Sequence, residues 1–269
     1  MENVEYKEYN RLIQRGEIYK ALEFRHSLVP DYLYKFFPIT SEKGKGMKDK
    51  RTFNMIKNNM VWISRVDYLN DPYEGKGISL DFDKFEKYGF PQKVVEYMEN
   101  VFTEDVGLCC FSAQAKDNIS MWAYYAAGHK GFCIKYKVNN KNLFYDVNYI
   151  KERKLVCNSI IKLLEEAKNS GEDNCELNDV HMLLLEKYLI KHISWSNEKE
   201  YRRYYELPSY DKKGKEVSCK ELGIEVEEIY TGINCSPEIK QKLRRISKQI
   251  GNVKVIEGEI DDRDFIVFR

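Results

Sequence analysis

Apolar and polar residues repeat along this chain with two periods, and the points where the period changes mark its elements. The stretch from Gly107 to Tyr136, GLCCFSAQAKDNISMWAYYAAGHKGFCIKY, contains both. An apolar run from Gly107 to Phe111 ends in Ser112 and predicts a strand. A polar turn follows, in which Asp117 or Asn118 can cap a helix by accepting a free backbone N–H. Ile119, Trp122, Ala123 and Ala126 then recur at helical spacing. Met121, Tyr124 and Tyr125 cover the other side, so the predicted helix is apolar nearly all round and buried. Gly128 suits a left-handed stop. After Gly131 the period drops to two, with Phe132, Ile134 and Tyr136 against Cys133, Lys135 and Lys137, as in a half-buried strand. Ser112 thus falls at a strand end beside aromatics. That setting suits a site, and it also suits an ordinary core unit.

The same reading extends outward. Val4 to Ser27 predicts an amphipathic helix divided near Gly16 and ended by Pro30, so residues 1–30 form an N-terminal helical extension. Tyr32 to Phe37, YLYKFF, is a strand, Arg51 to Asn59 a short helix, and Met60 to Ser64 a second strand. Asn70-Asp71-Pro72 is a strong turn signal, because the proline biases Asp71 away from helix. Asp81 to Tyr88 and Gln92 to Thr103 read as helices. Leu143 to Val147 reads as a strand. Ile150 to Lys168 and Asp179 to Ile193 read as amphipathic helices around a linker, Asn169 to Asn178. In Glu198–Lys199–Glu200 an extended backbone would put both carboxylates on one face. Two carboxylates so close raise the pKa of one unless a cation such as Arg202 intervenes. Asp211 to Lys215 is a polar turn. Ser236 and Pro237 open a helix to Ile250. Residues 31–269 therefore predict a single α+β domain. Its curved, mostly antiparallel β core uses strands near 33–37, 60–64, 107–112, 131–137, 199–205, 224–231, 253–257 and 264–268. Helices flank it, and the pair at about 150–193 is an insertion.

Bulk properties narrow the function little. Lys and Arg number 44 against 43 Asp and Glu, so net charge argues for neither nucleic acid nor an acidic membrane. The basic stretches Ser41–Lys50 and Lys240–Lys248 read as solvated. The 20 tyrosines suit a polar-edged pocket as well as a β-rich core. Seven cysteines show no C-x-x-C and no zinc spacing, which predicts reduced thiols in a cytoplasmic protein and no metal. The N-terminus lacks a signal-peptide pattern. No apolar run approaches the roughly 18 residues of a membrane span.

Taken together, YLYKFF, VWISRVDYLNDPYEG, the Cys110–Tyr136 stretch, WSNEKEYR and IYTGINCSPEIKQKL resemble the bacterial domain-of-unknown-function family numbered 2971, over roughly residues 32–269. That resemblance implies a phage-defence or toxin context and no defined activity. The order of pieces is also similar, more distantly, to the ADP-ribosyltransferase superfamily. There a strand carrying Arg or His, a strand–helix–strand unit and a late Glu-x-Glu strand build an NAD site. YLYKFF has neither Arg nor His, so Lys35 or Tyr34 takes that place. Ser112 falls in the second motif and Glu200 in the third. The resemblance implies Glu200 stabilising the oxocarbenium-like ribose, with Glu198 orienting the nucleophile or acceptor. Ser112 would hydrogen-bond the ribose or the catalytic Glu. Tyr34, Lys35, Trp62, Ser64, Trp122, Tyr124 and Arg202 are the candidate NAD-binding residues. The acceptor is undefined: a protein, nucleic acid or small molecule, or water. Two alternatives remain beside this reading. One is a non-catalytic binding or sensing module. The other is a nuclease using Asp71, Glu74, Glu198 and Glu200 around Mg²⁺.

Overall fold

Alternation in YLYKFF sets which way the central sheet faces. Leu33 and Phe37 pack into the main core on one side, while Phe36 packs with Trp122 on the other. A computed structural model describes residues 4–15, 17–100, 106–115, 118–155, 157–170, 183–208, 211, 213–263 and 266–268. Its helices are α1 (Val4–Gln14), α2 (Ile18–Ser27), α3 (Met47–Lys57), α4 (Phe82–Lys87), α5 (Gln92–Asn100), α6 (Ile119–Tyr125), α7 (Cys157–Ser170) and α8 (Pro237–Gln249). The first strands are β1 (Tyr32–Phe37), β2 (Met60–Arg65), β3 (Ile78–Ser79), β4 (Val106–Ser112), β5 (Phe132–Val138), β6 (Tyr145–Asp146) and β7 (Asn148–Ile150). Then come β8 (Lys154–Leu155), β9 (Ile190–His192), β10 (Glu200–Glu206), β11 (Gly214–Ser218), β12 (Ile224–Thr231), β13 (Lys254–Glu259) and β14 (Val267–Phe268).

The fold is α+β. A ten-stranded sheet runs β11-β2-β4-β1-β5-β12-β13-β14, with β10 paired to β4 and β6 paired to β10. Its pairings are antiparallel except β12 with β13. Strand β4 is the junction. β10 pairs with it from Val106 to Ser112, whereas β2 and β1 share its opposite edge, β2 at Gly107 and Leu108 and β1 at Ser112. The sheet is therefore split between β1 and β2. Helices α3 and α8 cover one face through Phe53, Ile56, Ile239, Leu243 and Ile246. Helix α6 covers part of the other through Met121 and Trp122. Ser236 caps α8, with its hydroxyl accepting from Ile239 N, and Pro237 occupies the first turn, as predicted. A separate apolar cluster joins α1 and α2 to α4, α5 and α7.

Three expectations are corrected. The two helices expected over 150–193 have narrower bounds among the described residues. The chain forms β7 and β8 before α7 begins at Cys157, and after helical residues 183–185 it tightens into a 3-10 turn, Glu186–Leu189, and then β9. β9 lies parallel to β7, with Tyr149 opposite Lys191. Short apolar runs such as Tyr188 to Ile190 read equally as helix or strand, and the tertiary pairing decides between them. The predicted linker from residue 171 and the start of the second helix, to 182, lie outside the described residues. Second, the polar turn at 211–215 leads into β11, an edge strand on β2 in which Val217 alone is buried; its polar surface hid it. Third, Glu198 and Glu200 do not share a strand. Glu198 ends a 3-10 segment, Ile193–Glu198, and Lys199 is left-handed (φ 47°, ψ 51°) before β10 begins at Glu200. The closing strand was expected at 264–268; residues 264 and 265 lie outside the described residues, and Val267–Phe268 pairs with β13.

Two glycines seat the loop after β2. A Cβ on Gly77 would come within 2.4 Å of Ile190 Cβ, and one on Gly75 within 2.8 Å of the Tyr188 ring. Bare backbone there lets this loop lie against residues 188–190, and that contact delivers Glu74 to the interior beside β9 and β10.

Candidate functional site

Where β1 and β2 part along β4, a cavity of about 160 Å³ opens. Its floor is a row across three neighbouring strands. Tyr34 of β1 lies opposite Ser112 of β4, and Ser112 lies opposite Glu200 of β10. Phe36, Phe111, Met121 and Tyr125 give it an apolar, aromatic wall, and Lys35, Glu74, Lys191, Glu198 and Glu200 bring charge.

The charged groups form one buried cluster. Lys191 Nζ lies 2.6 Å from Glu198, 3.3 Å from Glu200 and 3.5 Å from Glu74. The Arg202 guanidinium donates to both oxygens of Glu200 at 2.8 and 2.9 Å and to both of Glu74 at 2.7 and 2.8 Å. It also donates to the Tyr188 carbonyl at 2.6 Å. Arginine's planar fork suits such two-sided pairing, which a lysine cannot reproduce. Burying these ions is expensive, and mutual pairing offsets the cost. Three carboxylates against two cations leave one negative charge in excess. Lys35 donates to the Cys110 carbonyl at 2.9 Å and forms no ion pair among the described residues.

The surroundings push the two carboxyls of the Glu-x-Glu apart. Burial raises Glu198, with Glu200 adding to the rise and Lys191 opposing it. Burial would also raise Glu200, but Arg202 and Lys191 override it and hold that carboxyl at about 2. Burial acts to lower Lys191, yet Glu200 and Glu198 keep it above the ordinary lysine range. Tyr125 donates to Glu198, and burial together with that carboxylate raises its phenol. Burial and Glu200 push the Cys110 thiol well up, so it is no nucleophile at neutral pH.

Local structure fixes this arrangement. Ser112 Oγ donates within reach of the Glu198 carbonyl (2.7 Å) and the Gln114 carbonyl (2.8 Å), and accepts from Gln114 N. Its role is to position the 198–200 segment, not to face the cavity with a free hydroxyl. Asn118 caps α6 and donates to the Asn197 carbonyl, while Asn197 donates to Ser120 Oγ at 2.8 Å. The Tyr149 hydroxyl accepts from Glu200 N at 2.9 Å.

Of the residues expected at the site, Tyr34, Lys35, Glu74, Ser112, Glu198 and Glu200 converge on the cavity. The others do not line it. Trp122 is fully buried, its indole N–H donating to the Ala115 carbonyl, with Phe36 edge-on to its ring. Tyr124 points to solvent on the far side of α6 and is 73 % exposed. Trp62 lies on β2 under the Arg51 guanidinium, and Ser64 Oγ bonds the Arg65 carbonyl. Arg202 acts from behind the carboxylates, wholly enclosed. Asp71, offered with the glutamates for Mg²⁺, accepts from Tyr73 N of its own turn, and Glu74, Glu198 and Glu200 are already taken by Lys191 and Arg202. Sequence reasoning missed Lys191 and Tyr125. Lys191 carried a signal: it is a lone charge among the apolar residues of YLIKHI, where an unpaired ammonium would be costly.

The charged segment is also where the chain resembles other proteins. Residues 121–203 match the family described as "Protein of unknown function (DUF2971)". The DUF2971 match is narrower than the 32–269 stretch over which the motifs resemble that family. It nonetheless spans Tyr125, Lys191, Glu198, Glu200 and Arg202, most of the buried cluster. No curated protein and no solved structure matches the chain.

Proposed function

We propose that the cavity cleaves the N-glycosidic bond of NAD, passing ADP-ribose to an acceptor or to water, as in ADP-ribosyltransferase-like enzymes. The row Tyr34–Ser112–Glu200 carries this reading: three residues from separate motifs meet in register at the cavity floor. The ionised Glu200 carboxylate and the aromatic wall suit a flat cationic ring and the cationic sugar formed as it departs. A volume of about 160 Å³ holds a ring or a sugar, and is below the ~300 Å³ at which pockets for larger ligands begin.

The chemistry follows from the two carboxyls. Nicotinamide leaves C1′ of the ribose with the electron pair of the C–N bond and becomes neutral. An acceptor or water oxygen bonds to C1′, and its proton passes to Glu198, whose raised pKa suits a base. Glu200, kept ionised by Arg202 and Lys191, is the fixed charge beside the developing cation. Tyr125 and Lys191 orient Glu198.

The test is nicotinamide release from NAD by the purified protein and by Glu198→Gln and Glu200→Gln variants shown to stay folded. Release by the parent, lowered about 10²- to 10⁴-fold in Glu198→Gln, supports the reading. No release and no calorimetric binding of NAD overturns it. A second reading, a non-catalytic binding module, is favoured by one observation: both Glu200 oxygens are engaged by Arg202. NAD binding without release, in the presence of cell extract as acceptor source, selects that reading.

A further inference from the structure

A second cavity of about 390 Å³ shares Lys191 with the first. One turn serves both: Asn70 and Glu74 line the first cavity, Asp71 and Tyr73 the second. The two spaces are therefore neighbours across a single ridge of backbone, and a ligand long enough to cross it would occupy both.

The second cavity differs in chemistry. Lys76, Lys151 and Arg153 line it, all exposed, and none forms an ion pair among the described residues. Two carboxylates face them, Glu152 and Asp71, and Asp71 is turned to its own loop, accepting from Tyr73 N at 2.9 Å. The cations are thus in excess. Three unpaired cations converging on a concave surface form an anion site, and the arginine fork suits phosphate oxygens. Beside them Tyr73 is 67 % exposed, a large ring left open to water at the cavity rim. Bases stack on such rings whatever their sequence.

We propose that this groove binds the nucleoside diphosphate half of a dinucleotide, with the diphosphate on Lys76, Lys151 and Arg153 and the base on Tyr73. That the other half reaches the first cavity rests on the function proposed above; the anion site itself does not. The ridge at Asn70–Glu74 is where the ribose linking the two halves crosses.

Calorimetric titration with ADP tests it, using the whole chain, the Lys151→Glu/Arg153→Glu double variant and Tyr73→Ala. These side chains are exposed, so melting temperatures should match the parent. The parent binds ADP, more weakly as salt rises. Each lost contact weakens binding about tenfold, so the double variant falls about 100-fold. If the variants bind ADP as tightly as the parent, or the parent binds none, the groove assignment is wrong. The same variants separate the two proposals. Nicotinamide release with an unchanged KM in the double variant keeps the glycosidic function and removes the groove. ADP binding that depends on the groove, in a protein that releases no nicotinamide, keeps the groove and removes the function.

Discussion

Lys191 Nζ lies 2.6 Å from Glu198 Oε2, although only a 3-10 segment and a strand end separate the two residues in the chain. The contact closes a tight loop that also brings Trp195 under the ammonium, its ring centre 4.9 Å away. Replacing Lys191 by Met keeps the apolar stem and removes the charge, leaving Glu198 buried with Tyr125 as its donor and Glu200 and Glu74 with Arg202 alone. The expected loss is about 3–5 kcal/mol in urea unfolding. Adding Glu198→Gln to Lys191→Met should recover part of it. A loss below about 1 kcal/mol for Lys191→Met would mean that the cluster is solvated.

Acid should unfold the protein partly through Glu200. Its folded pKa, about 2, lies below the ordinary 4.5, so the fold favours the ionised form. That contribution is complete above about 4.5 and disappears as pH falls toward 2; the drop corresponds to about 3 kcal/mol. Glu198 has the opposite sign: its raised pKa gives stability at low pH that is lost as pH rises through the folded value. Unfolding free energies measured from pH 6 to 2 should therefore fall less steeply for Glu200→Gln than for the parent. Glu198→Gln should change the upper limb instead. Parallel curves for parent and Glu200→Gln would refute the assignment.

Ser112→Ala removes the hydroxyl that joins β4 to the Glu198 carbonyl and to Gln114. A buried acceptor left unmatched costs about 1–3 kcal/mol. Since the hydroxyl does not present itself to the cavity, the variant should lower kcat by displacing Glu198 while leaving ADP affinity unchanged. Loss of ligand binding with unaltered stability would show that Ser112 touches ligand directly.

Trp122 and Tyr125 lie on the same short helix and should behave differently. Trp122→Phe removes the hydrogen bond to the Ala115 carbonyl and some packing against Phe36, costing roughly 1–3 kcal/mol of stability, with NAD affinity retained. Tyr125→Phe removes the proton donor to Glu198 and should shift the pH–rate profile with little change in melting temperature. A Trp122→Phe variant that melts like the parent but binds no NAD would return the indole to the pocket wall.

Much of the architecture could be read because it is locally encoded. Period-two alternation marks β1 and β5, a short apolar run marks β4, and Ser236-Pro237 marks the start of α8. The Tyr34, Ser112 and Glu200 strands could be named, yet their register comes from pairings across the chain. The charged cluster was less visible because its members converge from afar: Glu74 meets Arg202 across 128 positions. Lys191 was assigned to a helix face, since YLIKHI satisfies a helical period as well as a strand. The left-handed turn at Lys199 carries no glycine or asparagine to announce it.

The split in the sheet has one more consequence. Between Leu108, held by β2, and Ser112, held by β1, the shared edge of β4 has no neighbouring strand. The Cys110 carbonyl lies in that gap, and the Lys35 ammonium donates to it from 2.9 Å. One lysine thus darns the seam, standing in for a missing backbone amide. A ligand that draws this ammonium toward itself must also supply a donor for the carbonyl or let water in.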